Sequence, residues 1–146
     1  MSRVTGLGTI LRNFRIYSER LKNDLIFEVD KTTKDIEVKA KNRVPVNTGK
    51  LKQSIFSRMD FSKGIGTVGA TEKYAPYIEF GTGGRVNIPN GYSGFANQFR
   101  GRGKRNVNMR PRPYLIPSFL EETANLKVNT QKVLSKYSGL KSIRRL

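Results

Sequence analysis

TILRNFRIYSERLKNDLIFEVDKTTKDIEVKAKNRVPVNTGKL, residues 9–51, is the stretch from which the fold of this chain can be read. Around and within it, apolar or small residues recur at Leu7, Leu11, Phe14, Ser18, Leu21, Leu25, Val29, Ile36 and Ala40. Their helical spacing places them on one face of a long amphipathic helix. Glu19, Asp24, Glu28, Asp30, Asp35 and Glu37, set among Lys and Arg, fill the other face. Pro45 closes the helix, because the residue before a proline is held out of the helical region. A helix from Thr9 to Arg43 is roughly 50 Å long at about 1.5 Å per residue. That exceeds the width of a domain of this size, so part of it must bend or pack on a second chain.

Beyond Pro45, Thr48 is placed to cap a helical turn over Lys50–Ser54. Ile55 to Phe61 and Ile65 to Ala70 predict two strands, with Ser62-Lys63-Gly64 as the reversal of a hairpin. Tyr74 to Phe80 is a short apolar segment that ends at Gly81-Thr82-Gly83-Gly84, and Tyr74 and Tyr77 are expected in the core. Residues 83–110 form an irregular, glycine- and arginine-rich loop, and loops of such length in a compact domain are usually functional or order on binding. Pro111, Pro113 and Pro117 frame Tyr114-Leu115-Ile116, which predicts a short edge strand. Ser118 and Glu121 have the spacing of a capping box that opens a second helix from Phe119 to Lys136, with Leu120, Ala124, Val128 and Leu134 as core candidates. The expected fold is α+β, with a long N-terminal and a C-terminal helix on a small antiparallel sheet. Residues 1–8 read as a flexible lead-in, 9–138 as one domain and 139–146 as a basic tail after Gly139.

Composition narrows the chemistry. The 146 residues contain no Cys and no His. Disulfides, thiolate metal sites, imidazole acid–base catalysis and Ser/His triads therefore cannot be built. Among the 11 acids no pair is spaced to aim at one substrate; phosphoryl transfer would need carboxylates such as Asp60, Glu72 and Glu79 with a metal, and no suitable cluster is visible. An enzyme is not expected, and neither is a cofactor or metal. The 28 basic residues against 11 acids give a net charge of +17, which favours polyanions, whether nucleic acid, acidic protein surfaces or anionic lipid. Seven bases and no acid lie between Phe80 and Leu120, and six more bases follow Glu122. No apolar window is long enough to span a membrane, and no secretory signal pattern is present.

Three segments are more specific than this outline: Val44-Pro-Val-Asn-Thr-Gly-Lys-Leu51 with Ser54-Ile55, Tyr74-Ala-Pro-Tyr-Ile-Glu-Phe-Gly-Thr82, and Arg112-Pro-Tyr-Leu-Ile-Pro-Ser-Phe119. In this order and spacing they resemble the head–tail joining family of tailed phages, the tail-completion or neck proteins of lambdoid type. The resemblance covers residues 10–136. Its motif positions here are Pro45, Thr48, Gly49 and Leu51, then Tyr74, Ala75, Glu79, Phe80, Gly81 and Thr82, then Pro113, Tyr114, Leu115 and Pro117. Asn47 stands where the family more often has Asp, and the loop from Thr82 to Arg110 is longer and more basic than the pattern.

The resemblance implies a non-enzymatic virion protein assembled in the host cytoplasm. It implies a hexameric ring at the neck, between the tail-tube or tail-terminator protein and the head-closure and portal proteins, with genomic DNA crossing its lumen. Arg85, Arg100, Arg102, Lys104, Arg105, Arg110 and Arg112 are then the candidate DNA- or partner-facing residues, since glycine–arginine stretches bind phosphate backbones without sequence preference. Glu79 is read either as an intersubunit ion-pair partner or as an ordinary solvated or locally paired carboxylate. The alternative reading, resting on charge alone, is a stand-alone nonspecific nucleic-acid-binding protein.

Overall fold

A computed structural model describes residues 7–97 and 108–138. Most of the expected N-terminal lead-in, the C-terminal tail and the candidates Arg100, Arg102, Lys104 and Arg105 lie outside the described residues. The long helix, α1, runs unbroken over Leu7–Arg43. The turn that follows leads into α2 (Lys50–Ser54) and a hairpin of β1 (Ile55–Asp60) and β2 (Ile65–Ala70). After it come α3 (Ala75–Phe80), a 3-10 turn (Gly83–Arg85), α4 (Ser93–Ala96) and α5 (Leu115–Ser138). The architecture is the α+β arrangement of two helices with a small antiparallel sheet.

α1 is the spine, and α5 returns antiparallel along it. At one end Lys39 and Arg43 of α1 meet Glu121 and Glu122 of α5. At the other, the Tyr17 and Tyr137 rings stand edge to face with centroids 5.0 Å apart. The Tyr17 hydroxyl donates to the Tyr137 carbonyl (3.0 Å), and the Tyr137 hydroxyl donates to Asp24 (2.7 Å). The hairpin covers a different side of α1. Its register runs from Ile55 opposite Ala70 to Asp60 opposite Ile65, and Ser57 donates its hydroxyl to Glu37 of α1.

The approach of β2 to α1 is set by one glycine. A Cβ on Gly66 would stand 1.9 Å from the Thr33 hydroxyl oxygen, which is itself held by donating to the Val29 carbonyl at 2.7 Å. On the outer side of the sheet the Phe56 ring covers Gly69, and the Arg58 guanidinium lies 5.9 Å from the centre of that ring. The turn is closed by Asp60, whose carboxylate accepts from the Ser62 amide and hydroxyl and from the Lys63 amide. Those bonds hold the Asp60 carboxyl below its ordinary range.

Several expectations are corrected. Tyr114-Leu115-Ile116 is not a strand: Leu115 already begins α5, four residues before the expected start. Ser118 and Glu121 therefore lie inside the helix and form no capping box. Ser118 donates instead to the Tyr114 carbonyl (2.6 Å) and accepts from Arg43 (3.1 Å). Leu120, Val128 and Leu134 are exposed, as is Ala124, while the more buried row of α5 is Ser118, Glu122, Leu126, Asn129, Val133 and Tyr137. Ion pairs and the tyrosine contact, rather than the largest apolar residues, decide which side faces α1. Phe14 is exposed too, one turn beyond the Tyr17–Tyr137 contact. The helical face of α1 thus outruns the described part of α5. Thr48 caps nothing, because α2 starts from Gly49 in the left-handed region (φ 77°) with no side-chain cap.

Two outcomes are expected. Gly66→Ala should destabilise the fold by about 1–3 kcal/mol through overpacking, with much of the loss restored when Thr33→Ala is added; equilibrium urea unfolding of the single and double variants measures this. The second concerns acid. Glu37 is held below its ordinary value chiefly by hydrogen bonds from Lys41 and Ser57, and Glu121 by those from Lys39 and Arg43. A carboxyl lowered in the folded state gives stability that is present above its unfolded pKa and is lost as pH falls through the folded one. The thermal midpoint should therefore drop below pH 4.5, the ordinary value of both groups. An E37Q/E121Q variant should start from a lower midpoint at neutral pH and fall less steeply.

Candidate interface at the motif junction

The three sequence segments converge on one end of the molecule. Val44, Leu51, Ile55, Ala75 and Tyr114 join Ala40 in a single buried cluster, with Ala70, Ile78 and Leu115 packed against it. Each segment contributes, so the core here is built from the motifs themselves.

The junction is locked by Glu79. The first turn of a helix leaves four backbone amide positions without an intrahelical partner. For α5 these belong to Tyr114, Leu115, Ile116 and Pro117. Proline has no N–H, which leaves three donors, and Glu79 of α3 takes all of them. One carboxylate oxygen accepts from Tyr114 (2.8 Å) and Leu115 (2.9 Å), and the other from Ile116 (2.9 Å). The negative charge also lies where the positive end of the helix dipole favours it. Glu79 is buried, so it is neither solvated nor available to a neighbouring subunit. The adjacent Tyr114 phenol is pushed up by burial first and by the Glu79 charge second.

The residues around Glu79 serve the same arrangement. Gly81 ends α3 at φ 76°, and a Cβ there would stand 2.7 Å from the Met109 carbonyl oxygen and 2.9 Å from the Pro111 nitrogen. Glycine is required on both counts. Thr82 donates its amide to the Met109 carbonyl (3.1 Å) and accepts the Met109 amide on its hydroxyl (2.9 Å). Arg112 donates its amide to the Ile78 carbonyl at 2.8 Å. The segment entering α5 is thus stitched to α3 along its length. Part of the loop is also folded, since Val86, Ile88 and Tyr92 pack on a second cluster of Phe80, Ala96 and Ile116. The stretch expected to be irregular holds two short helical turns, at Gly83–Arg85 and Ser93–Ala96.

Two clefts open at this end. One of about 480 Å³ lies between residues 45–51 and the side chains of Tyr74, Ile78 and Arg112. Another of about 470 Å³ is mainly apolar and is lined by Ala75, Pro76, Phe80, Tyr92, Tyr114 and Ile116 among others. Tyr74 and Tyr77 were expected in the core, yet both are about 40% exposed. Arg85, Arg110 and Arg112 are exposed, as are Lys50 and Pro113. Asp60, Glu72 and Glu79 do not assemble: Asp60 closes the hairpin turn, and both oxygens of Glu79 are occupied by backbone. Among the described residues no group of acids could hold a metal ion.

The sequence that builds this geometry matches a known family. The family model described as "Bacteriophage HK97-gp10, putative tail-component" matches residues 9–81. The chain belongs to this HK97 gp10-like family. No curated protein and no solved structure matches it. The matched span runs from the first turn of α1 to Gly81, taking in the first motif and the second as far as Gly81, with Glu79 itself. The HK97 gp10-like part therefore supplies the cap, and the loop and α5 that follow supply what it caps.

Sequence reasoning missed the role of Glu79, although a signal was present. Tyr114-Leu115-Ile116-Pro117 enters a helix without a Ser, Thr, Asp or Asn cap, so an acceptor had to come from elsewhere in the chain. Glu79→Ala should leave three buried donors unpaired and destabilise by about 3 kcal/mol or more. Glu79→Gln, which keeps one acceptor oxygen, should lose less. Guanidinium unfolding of both variants, with amide exchange at Leu115 and Ile116 as the local readout, checks the ordering.

Proposed function

We propose that this tail-component chain is a ring subunit of the phage neck, completing the tail and joining it to the head-closure and portal proteins. The observation that carries the reading is the HK97 gp10-like match over residues 9–81. The third motif extends it, because Arg112-Pro113-Tyr114 and Pro117 are built into the junction that Glu79 locks. In this reading the core sets the subunit's shape, and the bare sides of α1, α5 and the two-stranded sheet make the ring contacts. Exposed Phe14, Phe27, Phe61 and Ile65 support this, being large apolar groups that a neighbour would cover. Its action is binding, with no chemical step and no cofactor.

Arg85, Arg110 and Arg112 give this end a positive charge suited to DNA in the lumen or to an acidic ring above or below, and the sequence between them adds Arg100, Arg102, Lys104 and Arg105 to the charge of the chain. Deleting the gene from its phage should leave DNA-filled heads and finished tails unjoined, counted by negative-stain microscopy; normal virions would overturn the reading. The charge of +17 keeps a nonspecific nucleic-acid-binding protein as the second reading. Tight, salt-sensitive duplex binding by the isolated monomer, with no affinity for purified tails or heads, would favour that one.

A further inference from the structure

The hairpin and the mainly apolar cleft at the motif junction have complementary shapes, but not within one chain. Phe61 and Ile65 stand at the tip of the hairpin, 61% and 55% exposed. Residues 62–64 turn the chain between them, held by Asp60. The cleft of about 470 Å³ begins at the opposite end of the same hairpin, at Ala70 and Thr71. Its floor is Phe80, Tyr114 and Ile116, all buried, and Pro76 and Tyr92 stand half-buried at its sides. The length of the strands, 6 residues each, separates tip from cleft by about 17 Å. A hairpin cannot reach its own base, so a tip that fills this cleft belongs to another copy.

Charge agrees with this pairing. The chain carries +17 overall, yet residues 60–70 hold one acid and one base, Asp60 and Lys63. The tip can therefore approach a second basic copy without setting like charge against like. Lys63 is exposed, and its link to Asp60 is long, at 3.7 Å. At the cleft, Glu72 and Lys73 are neighbours in the lining. Neither makes an ion pair or a side-chain hydrogen bond among the described residues. A tip lowered into the cleft thus offers Lys63 an acid without a partner, and Asp60 a base without one. The second cleft at this end has Lys50 and Arg112 in its wall and no acid, so it has nothing for Lys63.

We infer that the hairpin tip of one copy seats Phe61 in the cleft between Pro76 and Tyr92 of the next, with Lys63 paired to Glu72 and Asp60 to Lys73. An aromatic anchor in an apolar pocket is the usual form of a strong contact point between proteins. Tip and cleft are different surfaces, so each copy gives one tip and receives one. Repetition of such a head-to-tail contact closes into a ring when the rotation between copies permits it. The inference rests on the ring reading above and names the surfaces that make the ring contact.

The chain has no Cys, so S62C and T71C each introduce a single thiol, one at the tip and one at the cleft. Oxidation of an equal mixture of the two full-length proteins should give a disulfide-linked dimer on a non-reducing gel. Its yield should be at least about tenfold above that of either protein alone, because unlike positions meet. Adding F61S to the S62C chain should lower the yield about tenfold or more. Adding K63E instead should lower it too, and E72K in the T71C partner should restore it. Circular dichroism confirms that the variants fold, as expected for exposed and half-buried positions. Equal yields from the separate proteins overturn the proposal, since tip would then meet tip or cleft meet cleft. So does a yield that F61S leaves unchanged, which gives the cleft to another occupant. Sedimentation of the wild type separates this contact from the ring itself. Association of copies without the link overturns the proposal alone; absence of association, both free and with purified tails, overturns the ring reading with it.

Discussion

The three hydrogen bonds from the start of α5 to Glu79 are the constraint on which the architecture depends. They fix where α5 begins and how α3 is set against it. The motif residues around them fall into place as a consequence. Ala75 and Phe80 flank the carboxylate on the buried side, Gly81 lets the chain leave α3 against the incoming backbone, and Thr82 holds that backbone alongside. A buried carboxylate is costly when it is not fully satisfied. Here both oxygens are used, and Pro117 removes the fourth amide that would have gone unpaired.

The second principle of the molecule is that polar groups, not large apolar ones, mate its two main helices. Lys39 and Arg43 against Glu121 and Glu122, Arg43 against Ser118, and the Tyr17–Tyr137–Asp24 group hold α5 to α1. Leu120, Val128 and Leu134, which would ordinarily join such an interface, lie outside it, while Leu126 and Val133 are half-buried. The core at the motif junction is apolar, but the contact between α1 and α5 carries ion pairs while large apolar residues of both helices stay exposed. That distribution suits a part whose remaining surface is covered by other proteins of a particle.

Much of this was legible in the sequence. The spacing from Leu11 to Ala40 and the stop at Pro45 mark α1, and the turn at Ser62-Lys63-Gly64 marks the hairpin, because local periodicity and local turn chemistry decide both. The start of α5 was misread for the opposite reason. Prolines at 111, 113 and 117 favour an extended segment locally, and the acceptor that turns it into a helix lies 35 residues away in sequence. The outward side of α5 was misread because large apolar residues were assigned to the core, whereas long-range ion pairs set the helix rotation. Glu79, prominent in its motif, could be marked as a candidate, but its burial depends on three segments meeting.

The Tyr17–Tyr137 contact spans 120 positions of the chain, and this has a kinetic side. Most of the sequence must leave the ribosome before α5 can close on α1. Until then the long helix has only the hairpin to shelter it, and one flank stays wet. Contacts of such separation form late in folding, after the loop entropy of the intervening chain has been overcome. The Glu79 side of the junction, by contrast, is made before α5 emerges and can stand ready for it. Closure of α5 on α1 therefore waits for the intervening residues to be made, and the unfinished helix can meet a wrong neighbour throughout that interval.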